Sequence, residues 1–314
     1  MKNVLKTNLR NYLEANNKTH SWAELYEMFP FKGLKLTRKQ MADSVRSVKR
    51  KMERENKREV VINNLPKMQD GQYLVLGCVH APFINKEFWK SILKFADKNK
   101  KNIKGLIFNG DFLDLHSLSS HDRGRLPLHG ISLGREYKES NLILDQIENI
   151  LNQNIYKGFI YGNHEDRHNR YLQSPDNKKL EGAVLSPIDA LKLKERNYDI
   201  YADWKNDELQ LGDLTIIHGE FFNVHLCKKY LDVFKKNMLF AHSHRSQMYR
   251  EGEHVAYNIG CVLDIDSKVF SYASKAMKKT WSNGFAVCTL DNNKTFVELI
   301  NWEKNCFVYG GVKY

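Results

Sequence analysis

The chain has 314 residues, of which 42% are hydrophobic and 27% are charged, as is typical of a soluble globular protein. No apolar run reaches the roughly 18 residues that a membrane-spanning helix needs, and the N-terminus lacks the apolar stretch of a signal peptide. The five cysteines are scattered and odd in number, which argues against a disulfide framework or a zinc knuckle. These features exclude a membrane protein and a disulfide-stapled one, and they predict a cytoplasmic location.

The first 62 residues are predicted to form a small basic module of three amphipathic helices. Residues 1–58 hold 15 Lys and Arg against 6 Asp and Glu, a net charge of +9, while the whole chain carries +12. The third helix carries Arg46, Lys49 and Arg50, so the module resembles a helix-turn-helix unit with a basic last helix. We expect it to bind nucleic acid. A docking helix for a partner protein and a stabilising cap on the main domain are the alternatives.

A polar linker is predicted at 63–72, and after it short apolar runs alternate with longer mixed segments. In chain order the pattern predicts a strand at 73–77, a helix near 87–98, a strand at 105–110, a helix near 132–152, a strand at 158–163, a helix near 187–196, a strand at 214–219, a helix near 225–236, and strands at 237–244, 254–264, 284–290 and 295–302. This order favours an α/β domain over residues 73–314, with a largely parallel sheet, covering helices and an antiparallel portion at the end.

Side chains able to bind a metal follow five of these predicted strands directly. They are Cys78 and His80, Asp111 and Asp114, Asn163 and His164, His218, and His242 and His244. Sites in open α/β sheets form at the carboxyl ends of strands, so we expect these groups to lie together. One histidine at a strand end is more often a packed or surface residue, but five such sets in succession favour a site.

The number and type of these groups favour two metal ions. The candidate ligands are Cys78, His80, Asp111, Asn163, His218, His242 and His244. Seven ligands are too many for one tetrahedral ion, but they suit two divalent ions that share a carboxylate. Two ions about 3.5–4 Å apart are the usual device for in-line attack at phosphorus, with a bridging hydroxide as nucleophile. The pattern therefore predicts a dinuclear centre that hydrolyses phosphate esters.

The runs GCVH, GDFLD, GNHE, HGE and AHSH, in this order between residues 73 and 244, resemble the motifs of the calcineurin-like metallophosphoesterase superfamily. The superfamily pattern is GDxH, GDxxD, GNH[DE], H and GHxH. The resemblance implies a sandwich of two mixed sheets flanked by helices. It implies one metal site made of Cys78, His80, Asp111 and His244, and a second made of Asp111, Asn163, His218 and His242. It also assigns leaving-group protonation or transition-state stabilisation to His164, which Asp114 would orient.

Two positions depart from the superfamily pattern. Ala241 replaces the glycine of the last motif, a small residue for a small residue. Cys78 replaces an aspartate, as it does in the similar RNA lariat debranching enzymes. A coordinated thiol is deprotonated, and soft sulfur favours zinc or iron over magnesium. The expected cofactors are two divalent ions of manganese, zinc or iron, with magnesium less favoured. A cysteine nucleophile and an inert core thiol are the alternative interpretations of Cys78.

Arg167, His168 and Arg170 follow the GNHE motif, and one or two of them are predicted to face the substrate phosphate; the alternative is a solvated helix start. The leading prediction is a nuclease, a metal-dependent phosphodiesterase that acts on DNA or RNA. One alternative is a phosphatase or pyrophosphatase for nucleotides or phosphoproteins. The other is a non-catalytic DNA-binding or virion-associated protein with a degenerate metal site. The layout, including the basic N-terminal module, also resembles phage-encoded metallophosphoesterases, which would place the protein in the host cytoplasm.

Overall fold

The structure is a computed structural model that describes residues 67–119 and 130–314. The helical module predicted for residues 1–62, with Arg46, Lys49 and Arg50, lies outside the described residues, and so do residues 63–66 of the predicted linker. None of the helices that are described is both long and apolar enough to cross a membrane.

Thirteen strands and six helices are described. Their bounds in chain order are β1 (Gly71–Leu76), α1 (Lys86–Asn99), β2 (Ile103–Asn109), α2 (Leu133–Glu148), β3 (Tyr156–Ile160), α3 (Asp166–Gln173), α4 (Pro187–Ala190), β4 (Asp199–Tyr201), β5 (Leu209–Leu211), β6 (Leu214–Ile216), α5 (Leu226–Phe234), β7 (Asn237–Phe240), β8 (Ser246–Glu251), β9 (His254–Ile259), α6 (Lys275–Lys278), β10 (Gly284–Asp291), β11 (Lys294–Asn301), β12 (Val308–Tyr309) and β13 (Val312–Lys313).

The strands form two large mixed sheets and one small hairpin of β12 and β13. The six-stranded sheet has the order β11-β10-β1-β2-β3-β4, in which β1 to β4 run parallel, β10 pairs antiparallel with β1, and β11 pairs antiparallel with β10. The five-stranded sheet has the order β5-β6-β7-β9-β8, with a parallel centre and an antiparallel strand at each edge. Helices flank the sheets, so the predicted fold class, two mixed sheets flanked by helices, is confirmed.

The side chains of β1 point alternately to the two faces of the six-stranded sheet, and both faces are packed against other elements. Tyr73 and Val75 belong to the apolar core that the two sheets share, and Leu74 and Leu76 belong to the core under α1 and α2. All four are at most 1% exposed. Fully burying a large apolar side chain contributes roughly 1.5–3 kcal/mol to stability. Because the sheet is packed on both faces, the carboxyl ends of its strands are firmly placed.

Some elements differ from the predictions. The helix predicted near 187–196 is confined to α4, because Lys192 and Asn197 adopt φ angles of 53° and 61°. This left-handed conformation interrupts a right-handed helix. The sequence pattern also missed α3, β4, β5 and β8. Strands of three residues, such as β4 and β5, are too short to show an alternating pattern.

Candidate metal centre

The candidate ligands meet at the carboxyl ends of strands from both sheets, which share an apolar core. The first sheet contributes Cys78 and His80 after β1, Asp111 after β2 and Asn163 after β3, and the second contributes His218 after β6 and His242 and His244 after β7. All except Asn163 are at most 8% exposed. The fold therefore gathers side chains from five strands into one buried cluster.

The ligand atoms form two sets that share Asp111. The first set consists of Cys78, His80, Asp111 and His244, whose ligand atoms all lie within 4.8 Å of one another. The second consists of Asp111, His218 and His242 within the same limit. Oδ1 of Asn163 lies 3.3 Å from Nε2 of His218 and extends the second set. The arrangement has the ligand types and the shared carboxylate of a site for divalent metal ions.

Within each ligand set, the ligand atoms lie close enough together to bind one ion. Two nitrogen or oxygen ligands that are each about 2.1 Å from one ion are at most about 4.2 Å apart. Nε2 of His80 lies 3.1 Å from Nε2 of His244 and 3.8 Å from Oδ2 of Asp111. Nε2 of His218 lies 3.1 Å from Nδ1 of His242 and 3.2 Å from the same Oδ2. Both sets therefore converge on one oxygen of Asp111.

Hydrogen bonds behind two of the rings decide which nitrogen faces this cluster. Nδ1 of His80 donates to Oδ1 of Asp114 at 2.8 Å, and Nδ1 of His218 donates to the backbone carbonyl of Asn109 at 3.2 Å. With the proton assigned to Nδ1, the lone pair of Nε2 faces Asp111 in both rings. Neutral rings oriented from behind in this way are the form in which histidine binds metals. The residues present thus fit the binding of divalent metal ions.

Burial and neighbouring charges act together on the titration of the ligands. Burial alone would raise the pKa of the Asp111 carboxyl, but the neighbouring histidines, His218 first, hold it well below its usual range. Burial lowers the pKa of His218, but Asp111 outweighs this and the pKa is raised. Burial, with His218 adding to it, lowers the pKa of His242 to about 3, and burial also holds the pKa of His244 well below its usual value. His242 and His244 are therefore neutral at pH 7, and Asp111 is ionised.

The two departures from the superfamily motifs have direct structural accounts. Sγ of Cys78 accepts a hydrogen bond from the backbone N–H of His242 at 3.1 Å. Burial, followed by the charge of Asp111, raises the pKa of the Cys78 thiol well above its ordinary value. A thiolate there requires a compensating cation, which an ion in the first set would provide. The methyl group of Ala241 is accommodated because Gly77 faces it; a Cβ at Gly77 would lie 2.6 Å from that methyl carbon.

The backbone of the cluster is unusual at five of the seven ligand residues. Their φ angles are 47° at Cys78, 51° at His80, 50° at Asp111, 63° at His242 and 61° at His244. Residues other than glycine adopt this left-handed conformation infrequently, and each instance costs on the order of 1–3 kcal/mol. Such backbone outliers concentrate at functional sites, where the surrounding structure holds them in place. Their clustering on the ligands indicates that this geometry serves a function.

Two glycines beside the ligands permit the close packing of the cluster. A Cβ at Gly110, whose φ is 73°, would lie 2.1 Å from Nδ1 of His218. A Cβ at Gly162 would lie 2.1 Å from Oδ1 of Asp111. The glycines of the GDFLD and GNHE motifs are thus required because ligand side chains occupy the space that any larger residue would need.

His164 lies beside the shared carboxylate and is oriented by Asp114. Its Nδ1 donates to the backbone carbonyl of Asp114 at 2.9 Å and lies 3.1 Å from Oδ1 of the same residue. Its Nε2 lies 4.0 Å from Oδ2 of Asp111 and accepts from Nη2 of Arg167 at 3.2 Å. Burial, with the charge of Arg167 adding to it, lowers the pKa of His164. Since Asp114 also accepts from His80, one carboxylate orients both a candidate ligand and this imidazole.

The site also contains a residue to which the sequence pattern assigned no role, Glu165. Its buried carboxylate accepts hydrogen bonds from the backbone N–H groups of Asp111 at 3.0 Å, Leu113 at 2.7 Å and Gly162 at 2.8 Å. Burial, followed by the charge of Asp111, raises its pKa to about 7. Glu165 therefore joins the loops that follow β2 and β3. The only sequence signal was its place in the GNHE motif.

The three predicted phosphate contacts occupy different environments. Arg167 is brought to the site, where its Nη1 donates to the carbonyl of Asp114 at 2.9 Å and its side chain stays 13% exposed. Arg170 is more exposed and donates to the carbonyl of Asn163 at 2.6 Å. His168 is buried, and neither of its ring nitrogens has a hydrogen-bond partner among the described residues. Arg167 also contacts His164, since its Nη2 lies 3.2 Å from Nε2 of that residue.

Two mixed sheets place aspartate, asparagine, histidine and cysteine side chains together at the ends of their strands. The chain resembles the calcineurin-like superfamily in its fold and in the placement of all five motifs. No family model matches the sequence, and no curated protein matches it.

Solved structures do match, at low identity. One is wild-type Vps29 complexed with Zn²⁺ from Entamoeba histolytica, which is 10% identical, has a TM-score of 0.39, and covers 76% of this chain and 96% of its own. Another is a predicted phosphoesterase from Streptococcus pneumoniae, at 12% identity and a TM-score of 0.34, covering 79% and 98%. A third is YfcE, a phosphoesterase from E. coli, at 15% and 0.33, covering 70% and 88%. The roles proposed below rest on the side chains of this chain.

Proposed function

We propose that this protein is a metal-dependent phosphoesterase that cleaves phosphodiester bonds in nucleic acid. The observation that carries the proposal is the position of the Asp111 carboxylate, which lies between Nε2 of His80 and Nε2 of His218 in a buried cluster. A carboxylate shared between two sets of ligands is what a dinuclear hydrolytic centre requires. His164 beside it adds a group able to act on the leaving oxygen.

The ligand sets specify where ions would be held. Cys78, His80, Asp111 and His244 would hold one ion, and Asp111, Asn163, His218 and His242 the other. When bound, such ions neutralise phosphate oxygens and lower the pKa of water. Thiolate and imidazole ligands favour zinc or iron over magnesium for these positions, and manganese is a further candidate because of the shared carboxylate.

The remaining residues of the site act on the proton and on the phosphate. Asp114 accepts the Nδ1–H of His164, so Nε2 faces the leaving-group oxygen and would donate its proton to that oxygen from the imidazolium form of the ring. The guanidinium of Arg167 lies next to that nitrogen and presents a planar positive group that suits a phosphate oxygen. In this scheme His164 is a catalytic residue, Arg167 binds the substrate, and Asp114 and Glu165 position the others.

Nucleic acid is the proposed substrate because of the uneven charge of the chain. The net charge of +9 over residues 1–58 suits a polyanion, and contacts between Lys or Arg and phosphates supply most of the sequence-independent affinity for DNA. A nucleotide or protein phosphatase would need no such module. In the proposed arrangement the basic module holds the strand, and the metal centre cleaves it.

A substrate panel tests the proposal. Purified full-length protein is treated with chelator, supplied with Mn²⁺, Zn²⁺, Fe²⁺ or Mg²⁺, and incubated with single- and double-stranded DNA, RNA, nucleotides, p-nitrophenyl phosphate and bis-p-nitrophenyl phosphate. We expect metal-dependent cleavage of diesters, including a nucleic acid. Cleavage of monoesters alone would favour a phosphatase, and nucleic-acid binding without hydrolysis under any metal would favour the non-catalytic alternative.

A further inference from the structure

An exposed aromatic ring lies directly beside the second ligand set. Phe222 is 60% exposed, yet its ring centre is 4.2 Å from that of His242. Single exposed apolar side chains are common and need no explanation by themselves. Phe222 differs because the residue it contacts is a candidate ligand, whose Nδ1 points to His218 at 3.1 Å. One edge of the metal centre is therefore bordered by an aromatic surface that is open to solvent.

The loop that carries Phe222 is held in place although it has no regular secondary structure. The hydroxyl of Tyr230 accepts from the backbone N–H of Glu220 at 2.7 Å. Nη1 of Arg245 donates to the carbonyl of Asn223 at 3.1 Å. Phe221 packs inward, with its ring centre 4.9 Å from that of Tyr230. The loop thus buries one phenylalanine as an anchor and presents the next one outward in a defined position.

A second aromatic ring borders the same ligands from another loop. Trp204 is half-buried, and its ring centre lies 6.3 Å from that of His218 and 6.5 Å from that of His242. Nζ of the exposed Lys205 lies 5.2 Å from the centre of the indole ring. The second ligand set is therefore edged by two aromatic side chains, one of them with a cation beside it.

We propose that Phe222, supported by Trp204, forms a platform on which a nucleobase next to the cleaved phosphate stacks. This inference rests on the proposed function, because the metal centre would hold the phosphate. Only a sugar separates a base from its phosphate, so a phosphate at the second set brings a flanking base to the rings that border His242. Aromatic side chains stack on every base, which is how proteins bind single strands with little sequence preference. Unpaired bases are needed for such stacking, so the platform specifies a single-stranded substrate.

Binding of short oligonucleotides tests the platform without requiring turnover. The probes are single-stranded tetranucleotides of DNA and of RNA with phosphorothioate linkages that resist cleavage, each paired with a version in which the two central bases are replaced by abasic sites. The dissociation constants are measured by calorimetry with metal-loaded full-length protein. We expect the base-bearing probe to bind about 5- to 150-fold more tightly than its abasic partner, the range found for stacking one base on an aromatic ring.

Substitutions in the loop that carries Phe222 test whether this residue causes the difference in affinity between the two probes. In Phe222→Ala the ratio between base-bearing and abasic affinities is expected to fall toward one, and Phe222→Trp should retain it. Val224→Ala is the matched control, since Val224 is 69% exposed on the same loop. A wild-type ratio near one, a ratio that Phe222→Ala leaves unchanged, or a failure to bind either probe would overturn the platform.

The same experiment separates the platform from the proposed activity. If the base-bearing probe binds more tightly but no metal supports cleavage of the ordinary phosphodiester, hydrolysis fails as a function and the platform stands. If the ordinary oligonucleotide is cleaved while bases make no difference to binding, the platform fails and the hydrolase stands.

Discussion

The backbone N–H of His164 donates a hydrogen bond of 2.9 Å to Oδ1 of Asp111. One oxygen of the carboxylate is thereby engaged, and Oδ2 is left facing the ligand nitrogens of His80 and His218. The same residue whose side chain is proposed to act on the leaving group thus fixes the orientation of the carboxylate between the two ligand sets. The GNHE and GDFLD motifs are coupled by this bond, so the shared carboxylate and the imidazole that is proposed to be catalytic are placed by one local structure.

The shared carboxylate gives the first prediction. Asp111→Asn keeps an oxygen that can accept the N–H of His164, but it removes the negative charge that both ligand sets share. We expect the variant to lose metal from both sites and to lose measurable phosphodiesterase activity, as Asp111→Ala should. Elemental analysis after metal loading and desalting provides the measurement. Asp97→Asn is the control, since Asp97 is an exposed residue of α1; full metal occupancy in Asp111→Asn would show that the carboxylate is not shared.

The position of His164 predicts a loss of rate without a loss of metal. His164→Ala should lower kcat by about 10²- to 10⁴-fold, the usual contribution of a positioned acid or base. Metal content should be retained, because the ligand sets do not include its ring. Steady-state hydrolysis of bis-p-nitrophenyl phosphate and elemental analysis of the same sample measure both quantities, with His254→Ala as the control. A variant that loses its metals would show that His164 is a ligand.

The thiol of Cys78 should behave as a metal ligand. Cys78→Asp restores the oxygen ligand of the superfamily motif, and we expect it to keep activity and to shift the metal preference toward Mn²⁺ or Mg²⁺. Cys78→Ser should weaken the first site most, because an alcohol is a poor anionic ligand. Activity is measured against metal concentration for each variant. Cys288→Ser serves as the control at a buried cysteine in β10.

An inert core thiol at position 78 predicts the opposite pattern. Serine would then be tolerated with an unchanged metal dependence, and aspartate would be disruptive because it buries a charge without a partner. Wild-type metal affinity at both sites in Cys78→Ser would rule Cys78 out as a ligand.

The basic N-terminal module is predicted to supply phosphate contacts. Replacing Arg46, Lys49 and Arg50 together by alanine in the full chain should weaken nucleic-acid binding. Each phosphate contact that is lost should reduce the slope of log affinity against log salt by roughly 0.9 on B-DNA. Hydrolysis of bis-p-nitrophenyl phosphate should persist, since every candidate ligand lies at or beyond Cys78. Unchanged affinity and slope on both DNA and RNA would favour the phosphatase alternative.

The sequence predicts the convergence of the ligands well because strand topology controls it. Parallel strands end at one edge of a sheet, so polar residues that follow successive apolar runs must approach one another. The Asn292–Asn293 turn between β10 and β11 was predictable for a local reason. Asparagine tolerates positive φ angles, and the two residues have φ angles of 47° and 63°.

Other features of the site depend on long-range contacts that a sequence pattern does not contain. Glu165 reaches backbone N–H groups more than 50 residues away, and no periodicity marks that relationship. Phe222 and Trp204 lie on irregular loops, where an aromatic residue looks the same whether it faces the core or a ligand. His168 is a candidate phosphate contact and is buried on α3, a helix of eight residues whose buried side the sequence pattern did not indicate.

Two ions held around one carboxylate are proposed to support phosphodiester hydrolysis. This is tested by titrating chelator-treated protein with Mn²⁺ or Zn²⁺ while bound metal and bis-p-nitrophenyl phosphate hydrolysis are followed in the same samples. We predict that binding saturates at two ions per chain and that hydrolysis rises to its plateau only as the second ion binds. Binding of no metal, or saturation at two ions with no hydrolysis of any diester, would contradict the claim.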